Sequence, residues 1–271
     1  MAFFAAQQAH IFYQTLGQPG RPAIVLFHGF TGSFHTWEDF ARHWQSRYFV
    51  VMPDLPGHHH SGTPWRWEDC ELTCTAKSMV DLMKALGYTQ FRVLGYSLGG
   101  RLALHLAAFF PHAVTQLVLE STTAGLPTEE ERRQRRQKDW QLAQQIETQG
   151  ISWFVDYWSR LPLFSSQLRL SPEVWDRQQT QRRRHSPLGL AQSLRGAGTG
   201  QQQNLWPYLP RLSIPVQLIV GSCDSKFQQI GRQMQQALPN ARTALIPQAG
   251  HAVHLEQPQR FFQTVTEFWN S

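Results

Sequence analysis

The sequence predicts an α/β domain: a mostly parallel central sheet with helices on both faces, interrupted once by an inserted helical cap. Three observations predict it. Apolar runs alternate with helix-like stretches from His10 to Ser121, the same alternation returns from Pro215 to Trp269, and a charged, Gln-rich segment without that rhythm separates the two. With 271 residues, 41% of them hydrophobic, the chain can bury one sizeable core, so the βα blocks read as one domain over 1–125 and 211–271 with the cap at 126–210.

Each element has its own signal. "HIFYQTLG", starting at His10, alternates like a half-buried strand. "PAIVLFHG" at 22–29 and "YFVVMPDLPG" at 48–57 are continuous apolar runs closed by glycine, the pattern of strands buried on both faces. "FRVLG" from Phe91 and "TQLVLES" from Thr115 repeat it, and helices fit between these strands at 34–46, 72–86 and 98–110. After Gly125 come two polar helical stretches, "TEEERRQRRQKDWQLAQQIE" and "SPEVWDRQQTQRRR", then "RGAGTG" and a Gln-rich turn. "PVQLIVGS" from Pro215 resumes the alternation, followed by a helix near 226–237, "ARTALIPQAG", and a last helix over about 257–269.

Composition narrows the function. Three cysteines, Cys70, Cys74 and Cys223, are too few and odd in number for a disulfide framework and suit a reducing compartment. "MAFFAAQQAHIFYQTLG" has no basic n-region or long apolar core, and no apolar run nears the roughly 20 residues that span a bilayer, so a cytoplasmic protein without signal peptide or membrane span is expected. The net charge of +6 raises nucleic-acid binding as a question. However, twelve arginines and one lysine face eight acidic residues between Ser121 and Arg211, so five of the six charges lie in that one central segment. The run Arg132-Arg133-Gln134-Arg135-Arg136 then reads as a solvated helix face, and no nucleic-acid partner is expected. No P-loop or dinucleotide fingerprint stands in a βαβ context. His58-His59-His60 in "DLPGHHHSG", without a spaced carboxylate, reads as a turn at the surface or pocket rim; neither metal nor organic cofactor is expected. Trp65 and Trp67 are expected to pack on core or cap.

The chemistry is in four segments. Gly95-Tyr96-Ser97-Leu98-Gly99 lies between a strand and a helix, the context that turns the chain sharply and projects Ser97 as a nucleophile. Asp224 follows the strand "VQLIVG", and His251 follows another strand end in "IPQAGHAVHLEQP". Ser, Asp, His is the chain order of α/β-hydrolases. His254 competes for the role of base, but the Gly-His pair favours His251. "LFHGFTG" places amides over the nucleophile, so the N–H groups of Phe30 and Leu98 form a candidate oxyanion hole.

Arg101, four residues past Ser97, shares its helix face. In a buried helix it must meet either a protein carboxylate or an anionic ligand in the pocket, and the basic cap favours the ligand.

Taken together, "HGFTGSFHTW", "DLPGH", "GYSLGGRLAL", "LVLES", "EERRQRRQKD", "RRRHSPLGLAQSLRGAGTG", "GSCDSKF" and "AGHAVHLEQP" resemble the 2-succinyl-6-hydroxy-2,4-cyclohexadiene-1-carboxylate synthases (MenH type) of menaquinone and phylloquinone biosynthesis, α/β-hydrolase-fold enzymes. The resemblance spans Phe27 to Pro258. It implies the Ser97, Asp224, His251 triad, with Tyr96 and Arg101 in the pocket and Arg135 and Arg184 reaching down from the cap. It also implies a cap aromatic, for which Trp158 and Tyr157 compete. "DLPGHHHSG" departs from the family pattern, with His59 where a glycine usually stands. The implied reaction is a lyase elimination of pyruvate from 2-succinyl-5-enolpyruvyl-6-hydroxy-3-cyclohexene-1-carboxylate. That substrate is a tricarboxylate, suited to three guanidinium groups. The rivals are a hydrolase of the same fold, cleaving an ester or carbon–carbon bond of an anionic molecule, and a non-catalytic binding protein of that fold. A haloalkane dehalogenase would need an aspartate at Ser97.

Overall fold

The computed structural model describes residues 2–5 and 10–271. Eight strands form one sheet: β1 (Ala2–Ala5), β2 (His10–Leu16), β3 (Ala23–Phe27), β4 (Phe49–Pro53), β5 (Phe91–Tyr96), β6 (Val114–Glu120), β7 (Val216–Gly221) and β8 (Ala241–Ile246). Their order is β1-β2-β4-β3-β5-β6-β7-β8. β1 and β2 run antiparallel to their neighbours; every other pairing is parallel. β1, whose "AFFA" is too short for a period, is absent from the sequence expectation; it is held by pairing Ala2 to Ala5 against Tyr13 to His10.

The helices are α1 (Glu38–Trp44), α2 (Leu72–Ala85), α3 (Leu98–Phe109), α4 (Glu129–Ser159), α5 (Pro172–Arg183), α6 (Pro187–Ala197), α7 (Ser225–Ala237), α8 (Val253–Glu256) and α9 (Pro258–Trp269). The expected helix at 34–46 is a 3-10 turn at Phe34–Thr36 followed by α1. β3 and β4 are buried along their whole length, as continuous apolar strands covered on both faces should be. One core layer gathers Val25, Phe27, Val93, Leu102, Leu106 and Met79 between the sheet and α2 and α3. The opposite layer packs Ile24, Leu26, Trp37, Phe261 and Trp269 under α1 and α9.

Between β6 and β7 the chain builds α4, a 3-10 stretch (Pro162–Arg169), α5 and α6. Thr128 opens α4 with a capping box: its hydroxyl accepts from the Glu131 amide, and the Glu131 carboxylate accepts from the Thr128 amide. Gly150, at φ 82°, breaks the run in two. Residues beyond the break bring Phe154, Val155 and Trp158 against Phe30 and against Leu190 and Leu194 of α6, a separate small core. The acidic first turn of α4 takes up its arginines: Arg132 and Arg136 bind Glu129, and Arg133 binds Glu130. Trp67 packs edge-on to Trp140, as expected of it, but Trp65 is 96% exposed and packs on nothing. No helix among the described residues is long and apolar enough to cross a membrane.

Candidate active site

The sheet order reverses between β3 and β5: from β3 the chain moves outward to β4, and from β5 the other way. Connections leave such a switch point in opposite directions and open a crevice at the strand ends, where ligands bind in open α/β sheets. Phe30 follows β3 and Ser97 follows β5, so both stand at that crevice. Ser97 adopts φ 50°, ψ −105°, a conformation that for a non-glycine residue stores about 1–3 kcal/mol. Its amide donates to Glu120 O at 2.9 Å, and the Thr122 hydroxyl donates to Ser97 O at 2.9 Å, which holds the turn. A Cβ on Gly95 would lie 2.3 Å from Gly99 O, and one on Gly99 2.3 Å from Phe27 O; the turn has room only for glycine at both.

The Ser97 hydroxyl is 3.1 Å from His251 Nε2, and His251 Nδ1 is 2.9 Å from Asp224 Oδ2. Asp224 follows β7 and caps α7, its Oδ1 accepting from the Phe227 amide at 3.2 Å, so both oxygens are fixed. His251 is 2% exposed. The competitor His254 is engaged elsewhere: its Nδ1 is 2.9 Å from both carboxylate oxygens of the fully buried Glu120. Neither the Phe30 nor the Leu98 amide has a hydrogen-bond partner among the described residues. A first-turn helix amide such as that of Leu98 has no acceptor inside its own helix, and it points to where negative charge can be received. This arrangement can move a proton between Ser97 and His251 and stabilise an oxyanion or enolate.

A cavity of about 180 Å³ opens over Ser97, lined by Phe30, Tyr96, Leu98, Arg101, Arg135, Trp158, Lys226 and His251 among others. Arg101 is buried; its Nη1 donates to Ala197 O at 2.6 Å, and no carboxylate pairs with it among the described residues. Burial, and then the neighbouring Arg135 charge, lower its guanidinium from 12.5 to about 10. Arg135 breaks from the surface pattern of its helix: its Nε donates to Asp139 Oδ1 at 2.8 Å and its side chain reaches the cavity wall. Between the competing aromatics, Trp158 lines the cavity with its indole N–H unpaired, whereas Tyr157 is exposed and stacks on Trp153. Tyr96 packs between His251 and His254, and burial pushes its hydroxyl well above the usual value, with the Glu120 charge adding to it, so it stays a neutral donor.

Arg184 is not where the sequence expectation put it. It is exposed at the end of α5 and forms no ion pair among the described residues. The inward face of α5 carries Gln179 and Arg182, and the following turn continues it with His185; at that three-residue spacing Arg183 and Arg184 point outward. Arg182 takes the inward place. It donates to Ser159 Oγ at 3.2 Å, lies over the Phe164 ring, and lines a second cavity of about 600 Å³ that shares Phe30, Tyr96 and Phe164 with the first. Burial lowers it to about 10. Arg182 and Lys226 are the cationic groups that sequence reasoning missed. Lys226 sits two residues past Asp224, in the first turn of the helix that Asp224 caps, and that spacing was the available signal. The histidine triplet also differs from expectation: His58 is fully buried, and Asp54 lies beside His59 and His60.

The fold and the site together define an α/β-hydrolase. Residues 22–258 match the family described as alpha/beta hydrolase fold. A protein of Bacillus subtilis (strain 168) named putative 2-succinyl-6-hydroxy-2,4-cyclohexadiene-1-carboxylate synthase is 39% identical over 94% of this chain and 93% of its own length. The synthase of Photorhabdus laumondii is 30% identical over 93% of this chain and 87% of its own. The structure of MenH from S. aureus superposes with a TM-score of 0.90 at 31% identity, covering 95% of this chain and 97% of that one. The chain belongs to the 2-succinyl-6-hydroxy-2,4-cyclohexadiene-1-carboxylate synthase (MenH) family of α/β-hydrolase-fold proteins.

Proposed function

We propose that the protein is a carbon–oxygen lyase that eliminates pyruvate from 2-succinyl-5-enolpyruvyl-6-hydroxy-3-cyclohexene-1-carboxylate to give 2-succinyl-6-hydroxy-2,4-cyclohexadiene-1-carboxylate. The observation that carries this is Arg101. A buried guanidinium without a carboxylate partner, one helical turn from Ser97 and lining the same cavity as Arg135 and Lys226, suits a polyanionic substrate and not a neutral ester. Ser97, with its proton drawn toward His251, removes the hydrogen alpha to the succinyl ketone, and Asp224 stabilises the imidazolium that forms. The developing enolate is received by the Phe30 and Leu98 amides. Its electrons return through the ring double bond and expel the enolpyruvyl oxygen, which leaves as enolpyruvate and tautomerises to pyruvate. The step needs no acyl-enzyme and no water.

The carboxylates of the substrate are met by Arg101 and Arg135 in the cavity over Ser97, where Lys226 adds charge, and by Arg182 in the adjoining cavity that shares Phe30, Tyr96 and Phe164; Trp158 and Phe30 cover the ring. Residues 126–210 act as the cap that supplies Arg135, Trp158 and Arg182. Incubating the protein with the enolpyruvyl substrate should release one pyruvate per ring converted, with little turnover of neutral p-nitrophenyl esters. Ester hydrolysis without pyruvate release would instead identify a hydrolase.

A further inference from the structure

We propose that Asp54, His59 and His60, in the loop after β4, bind one first-row divalent ion of the zinc type. This site is separate from the groups assigned to the reaction.

Asp54 is fully buried. Its Oδ1 accepts from the Phe34 amide at 2.7 Å and its Oδ2 from the His60 amide at 3.1 Å, so the carboxylate is fixed before any ligand arrives. Oδ2 lies 3.4 Å from His59 Nδ1 and 3.3 Å from His60 Nδ1. Nitrogen and oxygen ligands at roughly 2.0–2.1 Å from a tetrahedral zinc ion are about 3.3 Å apart, so two edges of a tetrahedron are already set. One ligand atom from each of the three residues lies within 4.8 Å of the others.

Two further observations single out His59. Its Nδ1 is shut off from solvent and meets only Asp54 Oδ2, at 3.4 Å and poorly aligned for a hydrogen bond, a contact that an ion between the two would replace. Its backbone is at φ 42°, in the left-handed region that a residue bearing a Cβ enters only under strain. That conformation folds the chain back so that residues five and six positions past Asp54 turn their rings onto it. The neighbouring His35 is occupied by Glu38, its Nδ1 2.5 Å from Oε2, and stays outside the donor set.

Two imidazoles and one carboxylate prefer zinc, nickel or copper over magnesium or calcium, which take all-oxygen cages. Three protein ligands leave the fourth position to solvent, reached past the 41% exposed His60 side chain. The His59 amide donates to His185 Nδ1 at 3.1 Å, and His185 Nε2 donates to Thr31 O at 3.0 Å. The ion therefore clamps a loop that is tied through His185 to the turn beside Phe30, and it takes no part in bond making.

The test is a titration of the full-length, tag-free chain with Co²⁺, followed by Zn²⁺. The expected result is one cobalt per chain, with the intense visible bands of four-coordinate cobalt, displaced by one equivalent of zinc. His59→Gly, which also relieves the positive φ, and His60→Ala should both lose the bands while keeping the far-ultraviolet circular dichroism of the parent. His112→Ala, at an exposed histidine, should retain them. Absence of the bands in the parent chain, their survival in both His59→Gly and His60→Ala, or their loss in His112→Ala would each overturn the assignment.

Discussion

Replacing Arg101 by Met should separate substrate binding from stability in opposite directions. The side chain is 8% exposed, and its guanidinium is held near 10 in place of 12.5, by burial first and then by Arg135. A folded-state value below the unfolded one means that folding disfavours the charged form; at neutral pH this costs the native state about 3 kcal/mol, and the cost fades as pH rises past about 10. Methionine removes that cost but strands Ala197 O, a loss of about 1–3 kcal/mol. The net expectation is a Tm that is level or a few degrees higher. Losing the charge-assisted contacts to a substrate carboxylate should remove about 2–5 kcal/mol of binding, a fall in kcat/KM of roughly 30-fold to several thousandfold. Pyruvate release coupled to lactate dehydrogenase gives kcat/KM, and differential scanning fluorimetry gives Tm. A kcat/KM within threefold of the parent, or a Tm several degrees lower with unchanged KM, would make Arg101 a structural residue and not a substrate clamp.

Ser97→Ala and His251→Ala should each lower kcat by orders of magnitude at unchanged fold, as read from initial rates and circular dichroism. His254→Ala should instead lower Tm, because it leaves the buried Glu120 carboxylate with only the backbone amide of residue 254 as donor, a loss of about 1–3 kcal/mol; unchanged stability with abolished turnover would mean the base is His254. Arg182→Met should raise KM at least tenfold while Arg184→Ala leaves it alone, and equal effects would return Arg184 to the site. Four histidines are kept neutral mainly by burial: His28 and His105 near 4, His58 and His185 near 3. These folded values lie below the unfolded 6.5, so the unfolded chain takes up protons first as pH falls. Stability should then drop between about pH 6.5 and 4, by up to about 1.4 kcal/mol per pH unit for each. Urea midpoints measured across that range should show this slope, and His105→Leu, within the α3 core, should make it shallower.

How much of this was legible in the sequence depends on how local the signal was. The buried parallel strands announce themselves as apolar runs, and the elbow as two glycines around a serine between strand and helix, because both patterns are dictated by the chain next to them. β1 escaped because only its pairing with β2 makes it a strand. Arg182 escaped for a different reason: beyond Val174 and Trp175 in its first turn α5 is polar all round, so no continuous apolar stripe shows which of three consecutive arginines faces inward. Asp54 beside His59 and His60 escaped because the contact depends on a positive φ at His59, which a histidine does not advertise. The choice between Trp158 and Tyr157 rests on the break at Gly150, which sets the phase of the helix beyond it.

In the proposed mechanism Ser97 begins the elimination by taking the proton alpha to the succinyl ketone. The most direct test is single-turnover pyruvate release from substrate carrying deuterium at that carbon. Release should be severalfold slower than from the protiated substrate, with no covalent adduct on Ser97 by mass spectrometry. Equal rates for the two substrates, or an acylated Ser97, would contradict it.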